Sequence, residues 1–197
     1  MKKLTTFIVL ITLAVLLSGC ATLFRNKAVD IPKIEIAKNQ WIKLPTPRQL
    51  DLNRTATQIL TAEYQIKDKI QTYTSQVQVE TTPEKLVLVA IAGWGGEIFS
   101  IDYDGTKIKT SSLPMPNAAL GITHVLSDFI FTYASSDLLK VILKPTKIRL
   151  TIKNRERILT LDNKPIMKIH YQYKNPWKGK VTLRNLALHY TIKITTL

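Results

Sequence analysis

Apolar and polar side chains alternate with a period of two through much of this chain, the pattern of strands with one buried face. From Gln71 to Lys109 the alternation predicts four short strands separated by three turns. Tyr73, Ser75, Val77 and Val79 alternate with Thr74, Gln76, Gln78 and Glu80, and Thr82-Pro83 ends the run. Leu86 to Ile91 is apolar without interruption, which predicts a strand covered on both faces. Phe99, Ile101 and Tyr103 then alternate with Ser100, Asp102 and Asp104, and Asp104-Gly105 is a hairpin signal. Upstream, Thr55 to Gln65 fits helix or strand, and its β-branched residues favour strand.

The period changes after Leu113-Pro114-Met115-Pro116. Ile122, Val125, Leu126, Phe129, Ile130 and Tyr133 recur at helical spacing, and a second short helix is expected over Leu138 to Leu143, behind the cap candidates Ser135, Ser136 and Asp137 and ahead of Pro145. Strand alternation returns in Ile148–Leu150–Ile152, Met167–Ile169–Tyr171–Tyr173 and Leu186–Leu188–Tyr190–Ile192–Ile194, with turns at Asp162-Asn163 and around Trp177-Lys178-Gly179. Strands, helices, then strands again predict a mainly β, α+β domain. Its antiparallel sheet has one apolar face, curled around helices inserted in mid-chain.

The N-terminus changes the picture. Lys2 and Lys3 precede an apolar run from Phe7 to Leu17, and Leu17-Ser18-Gly19-Cys20 follows. The run is too short to span a bilayer, which needs about 20 apolar residues, and reads as a secretory signal over 1–19. Cys20 is the only cysteine, so the chain can form no internal disulfide and no cysteine-based metal site. Residues 20–50 carry Pro32, Pro45 and Pro47 and little periodicity, so they are expected to be a tether, with the domain proper over 51–197. Trp41 to Pro45 could instead dock on that domain.

Charge is unevenly spread. The chain carries 28 Lys and Arg against 14 Asp and Glu, and from Lys140 onward there are 14 against 2. In a secreted protein this excess points to an anionic lipid surface or an acidic partner and away from nucleic acid. Lys147, Arg149, Lys153, Lys168 and Lys193 fall on the polar side of strands and are expected to share one outward surface.

No catalytic set is found. His124, His170 and His189 lack ligand spacing and read as solvated side chains, and Asp102, Asp104 and Gly105 lack the downstream acid of a calcium loop. Gly93 to Gly96 lacks the Lys-Ser/Thr of a phosphate loop, and there is no G-x-S-x-G elbow. The expectation is a protein that is not an enzyme and uses no metal or cofactor. Trp94 is the sharpest feature, because Gly93, Gly95 and Gly96 have no side chains to cover it. The inward row Phe99, Ile101, Tyr103, Ile169, Tyr171, Leu188, Tyr190 and Ile192 fits a filled core or the lining of an apolar cavity.

The lipobox-like LSGC, QILTAEY, VQVETTPEKLVLVAI, GWGGEIFSIDYDG, LPMP and NPWKGKVTLRNLALHYTIKITT resemble the DUF3261 family of bacterial lipoproteins over roughly Trp41 to Leu197. More distantly, the element order resembles the lipoprotein carriers LolA and LolB. That resemblance implies an open half-barrel lidded by helices, a cavity for acyl chains, and a loop whose protruding apolar residue, here Trp94, meets the membrane or an incoming carrier. It also implies acylation of Cys20, palmitate included, and with Ala21 next, anchorage at the outer membrane facing the periplasm. The function expected is binding of acyl chains, from lipid or lipoprotein, and their transfer at the outer membrane by a monomer. The other reading is a scaffold lipoprotein that binds no ligand and recruits a periplasmic partner through its basic face or sheet edge.

Overall fold

The structure is a computed structural model that describes residues 31–66, 69–113 and 121–197, with nothing stated for the side chains of Ile66 and Ile122. The expected signal at 1–19, Cys20, and the Pro114-Met115-Pro116 stretch lie outside the described residues.

Ten strands form one antiparallel sheet. They are β3 (Arg54–Ile66), β4 (Lys69–Thr81), β5 (Leu86–Ile91), β6 (Glu97–Tyr103), β7 (Ile108–Ser112), β8 (Arg149–Lys153), β9 (Glu156–Leu161), β10 (Lys164–Tyr171), β11 (Lys180–Asn185) and β12 (Tyr190–Thr196). Their spatial order is β7-β6-β5-β4-β3-β12-β11-β10-β9-β8, so among the described residues β7 and β8 are the edge strands and the sheet is not closed into a barrel, consistent with an open half-barrel. Between those two edge strands the chain runs through α2 (Ile122–Tyr133) and α3 (Ser136–Leu143). Leaving at one edge and re-entering at the other, it has to cross a face of the sheet, and it crosses the apolar one. Ser135 caps α3 by accepting from the Leu138 N–H.

A hairpin of β1 (Lys33–Ala37) and β2 (Gln40–Lys43), followed by the one-turn helix α1 (Pro47–Leu50), forms a further layer. This corrects the expectation of a tether up to residue 50. Ile34, Ile36, Ile42, Leu44 and Leu50 are buried, and the compact unit begins at Ile31. Asn39 takes the positive φ that the tight turn needs, and Thr46 and Gln49 form a reciprocal capping box at α1. The hairpin packs on the helices: β1 lies against α2 and β2 against α3. Every residue from Leu126 to Ala134 is therefore buried, polar ones included, because α2 has sheet on one side and hairpin on the other.

Three strand expectations need adjusting. β5 is not covered on both faces: Leu86, Leu88 and Ala90 are buried, but Val87, Val89 and Ile91 on the outer face are half-buried. The run from Leu186 to Ile194 is not one strand, since His189 at positive φ turns the chain between β11 and β12. Tyr173 lies beyond the end of β10 and is exposed.

Candidate functional site

The strands are unequal in length, and the cavity forms where they differ. β3 and β4 pair over 13 residues each, while β5 joins β4 only from Gln76 onward. The first seven residues of β4, Lys69–Ser75, therefore extend past the end of β5. Against this overhang, the first half of α2 and the β5–β6 loop enclose a cavity of about 510 Å³. That volume falls within the roughly 300–1,000 Å³ of sites that hold small molecules.

Its walls are mostly apolar or aromatic. Leu60, Ala62 and Tyr64 of β3, Tyr73 of β4, Phe99 of β6 and Ile192 of β12 form the sheet side. Tyr64 and Tyr73 stack face to face, 5.3 Å between centroids and 2° between planes. Burial holds the Tyr64 phenol up at about 12. The helix side is His124 and Val125, with Asp128 one turn further on. His124 is half-buried on this wall rather than solvated, and loss of water pushes its imidazole pKa down, with Glu35 acting weakly the other way.

Of the expected apolar row, Phe99, Tyr190 and Ile192 line the cavity. Ile101, Tyr103, Ile169, Tyr171 and Leu188 do not. Ile101, Tyr103 and Ile169 are wholly buried, and Tyr171 is fixed by donating 2.8 Å to the Thr132 carbonyl, so these four are filled core. Leu188 sits half-buried in the β11–β12 turn. Period-two alternation reports the face on which a residue lies but not its height along the strand, and height separates core from cavity here.

At the mouth stands Trp94, 77% exposed, with Leu113 across from the loop also exposed. The loop is a tight turn: Ala92 donates to the Gly96 carbonyl and Gly95 to the Ala92 carbonyl, both at 2.8 Å. Gly95 has φ +91°, which suits glycine. Gly96 is needed for another reason. A Cβ there would collide with the Trp94 ring, so the indole lies across the Gly96 backbone while its other face stays open.

The polar centre of the site was not visible in the sequence pattern. Asp128 is buried on α2, and its Oδ2 accepts from the Tyr190 hydroxyl at 2.6 Å. Tyr190 in turn accepts from Asn185 Nδ2 at 3.1 Å. Burial raises the Asp128 pKa to about 7, against the opposing effect of the Tyr190 hydrogen bond. Toward the core, Asp128 also walls a second void of about 30 Å³, which shares Leu60, Phe99, Val125 and Ile192 with the large cavity.

The outer face of the sheet is basic at its C-terminal end. Cross-strand register aligns Lys193, Thr182, His170, Glu156 and Lys153 in one row, with Arg184 beside Lys168 in the next. Arg149 shares that face, and Lys147 precedes β8; all five expected cations are exposed. Arg184 and Lys180 join them from β11, a strand the alternation did not reveal. Two acids moderate the patch: Lys193 pairs with Glu63 at 2.6 Å, and His170 lies 3.3 Å from Glu156.

Among the described residues no helix is long and apolar enough to cross a membrane, and no group of three or more His, Cys, Asp or Glu could hold a metal ion. No curated protein matches the chain. A family model does, one described as a protein of unknown function, and it covers residues 55–197, from β3 to the C-terminus with the cavity walls and Trp94 inside it; the chain belongs to the DUF3261 family.

Proposed function

We propose that this protein binds acyl chains in the cavity behind Trp94 and assists their transfer to a bilayer. The carrying observation is the cavity itself: about 510 Å³, walled largely by apolar and aromatic side chains, with an exposed indole at its mouth. Chains leave water for the cavity through the hydrophobic effect, worth about 0.8 kcal/mol per buried methylene. The work is transfer between two apolar environments, with no bond made or broken.

The rest of the reading follows from the segment before residue 31. Cys20, acylated after removal of residues 1–19, anchors the protein, and Ala21 directs it to the outer membrane with the domain in the periplasm. There Trp94 enters the interface, where its ring is buried and its N–H stays wet. The basic outer face favours an anionic surface or an acidic periplasmic carrier. That same patch is what favours the scaffold reading, in which a partner binds the cations and the cavity has no cargo.

The test is lipid content. Membranes carrying the full-length protein are solubilised with a lipid-excising copolymer in place of detergent, and the protein is purified and its bound lipids are analysed by mass spectrometry. Acyl species that co-purify with the wild type and are lost in a folded Ala62→Trp variant, whose indole fills the cavity, are expected. Equal recovery from both proteins, or none from either, overturns the carrier reading in favour of the scaffold.

A further inference from the structure

Among the described residues the cavity is lined by one acid and by no Lys or Arg. Burial pushes the His124 imidazole pKa down. An anionic group brought to the inner end would lose its water and meet Asp128 with no cation to offset either effect. The inner end therefore rejects carboxylate and phosphate.

Once Asp128 is ionised, that end has a use for a hydrogen-bond donor. Asp128 Oδ2 is taken by Tyr190, but Oδ1 is shut off from water and has no hydrogen-bond partner among the described residues. A buried carboxyl oxygen left in this way calls for an explanation, since nearly all such atoms are paired. Asp128 stands where the large cavity meets the 30 Å³ void, a space about the size of one water or one hydroxyl. The last torsion of an Asp side chain is broad, so a modest rotation can turn the free oxygen toward the cavity while Tyr190 keeps its bond to the other. An ammonium would gain charge pairing with the carboxylate but would lose its own water and leave two of its three donors without an acceptor.

We propose that Asp128 selects the inner end of the cargo: a linear aliphatic chain that terminates in an uncharged hydroxyl, donated to the free Asp128 oxygen, with the rest of the chain running past Tyr64 and Phe99 to Trp94. This rests on the acyl-carrier reading above and names the chemistry that reading leaves open. Asn185 and Tyr190 are positioning residues in it, holding the carboxyl from the strand side.

The experiment, run at about pH 8.5, above the Asp128 titration at about 7, uses full-length protein in membranes and four photo-crosslinkable probes of one chain length, each with a mid-chain diazirine: hexadecanol, its methyl ether, hexadecanoic acid and hexadecylamine. Crosslinking to cavity residues is quantified by mass spectrometry. The alcohol is expected to exceed the methyl ether and the acid by about tenfold, the scale of one hydrogen bond to a buried carboxyl. In Asp128→Leu the alcohol and ether should become equal with crosslinking retained. In Tyr190→Phe, which frees the second oxygen, the alcohol should keep its advantage, so the proposal stays testable if the leucine variant folds poorly. Equal labelling by alcohol and ether in the wild type overturns the proposal while leaving the carrier reading intact, and is also the result if a bound water alone satisfies Oδ1. A preference for the amine overturns the uncharged terminus. No labelling by any probe removes the carrier reading itself.

Discussion

The protein should lose stability as the pH rises from about 5 to 8, and Asp128 is the reason. In the unfolded chain a carboxyl of this kind titrates near 3.9, whereas in the folded protein burial lifts it to about 7. Below the unfolded value both states hold the proton, and the group's contribution to stability is complete. Between the two values the unfolded chain gives up its proton and the folded chain keeps it, so the folded state loses ground by about 1.36 kcal/mol per pH unit. Above about 7 the folded carboxyl ionises as well, and the loss levels off. From about pH 5 to about pH 8 the difference integrates to about 2.5 kcal/mol. Asp128→Asn removes the titration and keeps an oxygen that can accept from Tyr190. His124, one turn earlier, titrates with the opposite sign but is common to both proteins. The assay is denaturant or thermal unfolding of both proteins across this range. The wild type should fall by about 2.5 kcal/mol more than the variant, roughly 5–10 °C in melting temperature for a chain of this size. Parallel curves would refute the raised pKa. A wild type that instead gains on the variant with rising pH would mean that the Tyr190 hydrogen bond outweighs burial and holds the carboxyl low.

Other outcomes follow from the same geometry. Trp94→Glu should leave the melting temperature within about 1–2 °C of wild type, since the indole is 77% exposed, yet abolish insertion into vesicles as read by fluorescence; a large loss of stability would place Trp94 in the core. Lys168→Glu with Arg184→Glu, neighbours in register on the outer face, should weaken binding to anionic vesicles and flatten its salt dependence, and unchanged binding would remove the basic face from the mechanism. Tyr133→Phe deletes a buried 2.7 Å hydrogen bond from Gln58 and should cost about 1–3 kcal/mol, measured by denaturant unfolding. Cys20→Ser should leave the precursor uncleaved and abolish palmitate labelling, and normal processing would end the lipoprotein reading.

Regular alternation carried most of the sheet into view. β3 to β6, both main helices and the Asp162-Asn163 turn, whose residues both have positive φ, stand where the pattern predicts them. What it hid has physical causes. β1 and β2 are five and four residues long and sit among prolines and lysines, so Ile34, Ile36 and Ile42 show as a small cluster rather than as strands. β9 and β11 interleave their few apolar residues with Arg, Lys and Asn. One of these, Arg157, faces inward to donate to the Phe131 and Thr132 carbonyls at the end of α2. Asp128 was the least visible. An acid within an apolar helix reads as the solvated side of that helix, and only the β1–β2 layer, laid over α2 from outside, leaves the helix no solvated side.

That layering also accounts for where the cavity lies. The C-terminal end of α2 is fixed to the sheet through Phe131, Thr132 and Tyr133, which bond to Arg157, Tyr171 and Gln58. Toward its N-terminal half the side-chain bond to the sheet is Asp128 to Tyr190. Beneath that half, β3 and β4 continue past the end of β5 with Tyr64, Tyr73 and Ala62 directed at a helix that does not fill the space above them. A sheet of equal strands would have closed this gap with a β5 side chain or a longer β5–β6 hairpin. Here the β5–β6 connection is a tight glycine turn, which leaves the overhang uncovered and sets Trp94 beside it. The glycines, the two 13-residue strands and the one buried acid thus act at the same place. Shortening β3 and β4 by matched pairs would remove the cavity without touching the core around Ile101 and Ile169, so the cavity and the folding core are separable in this protein.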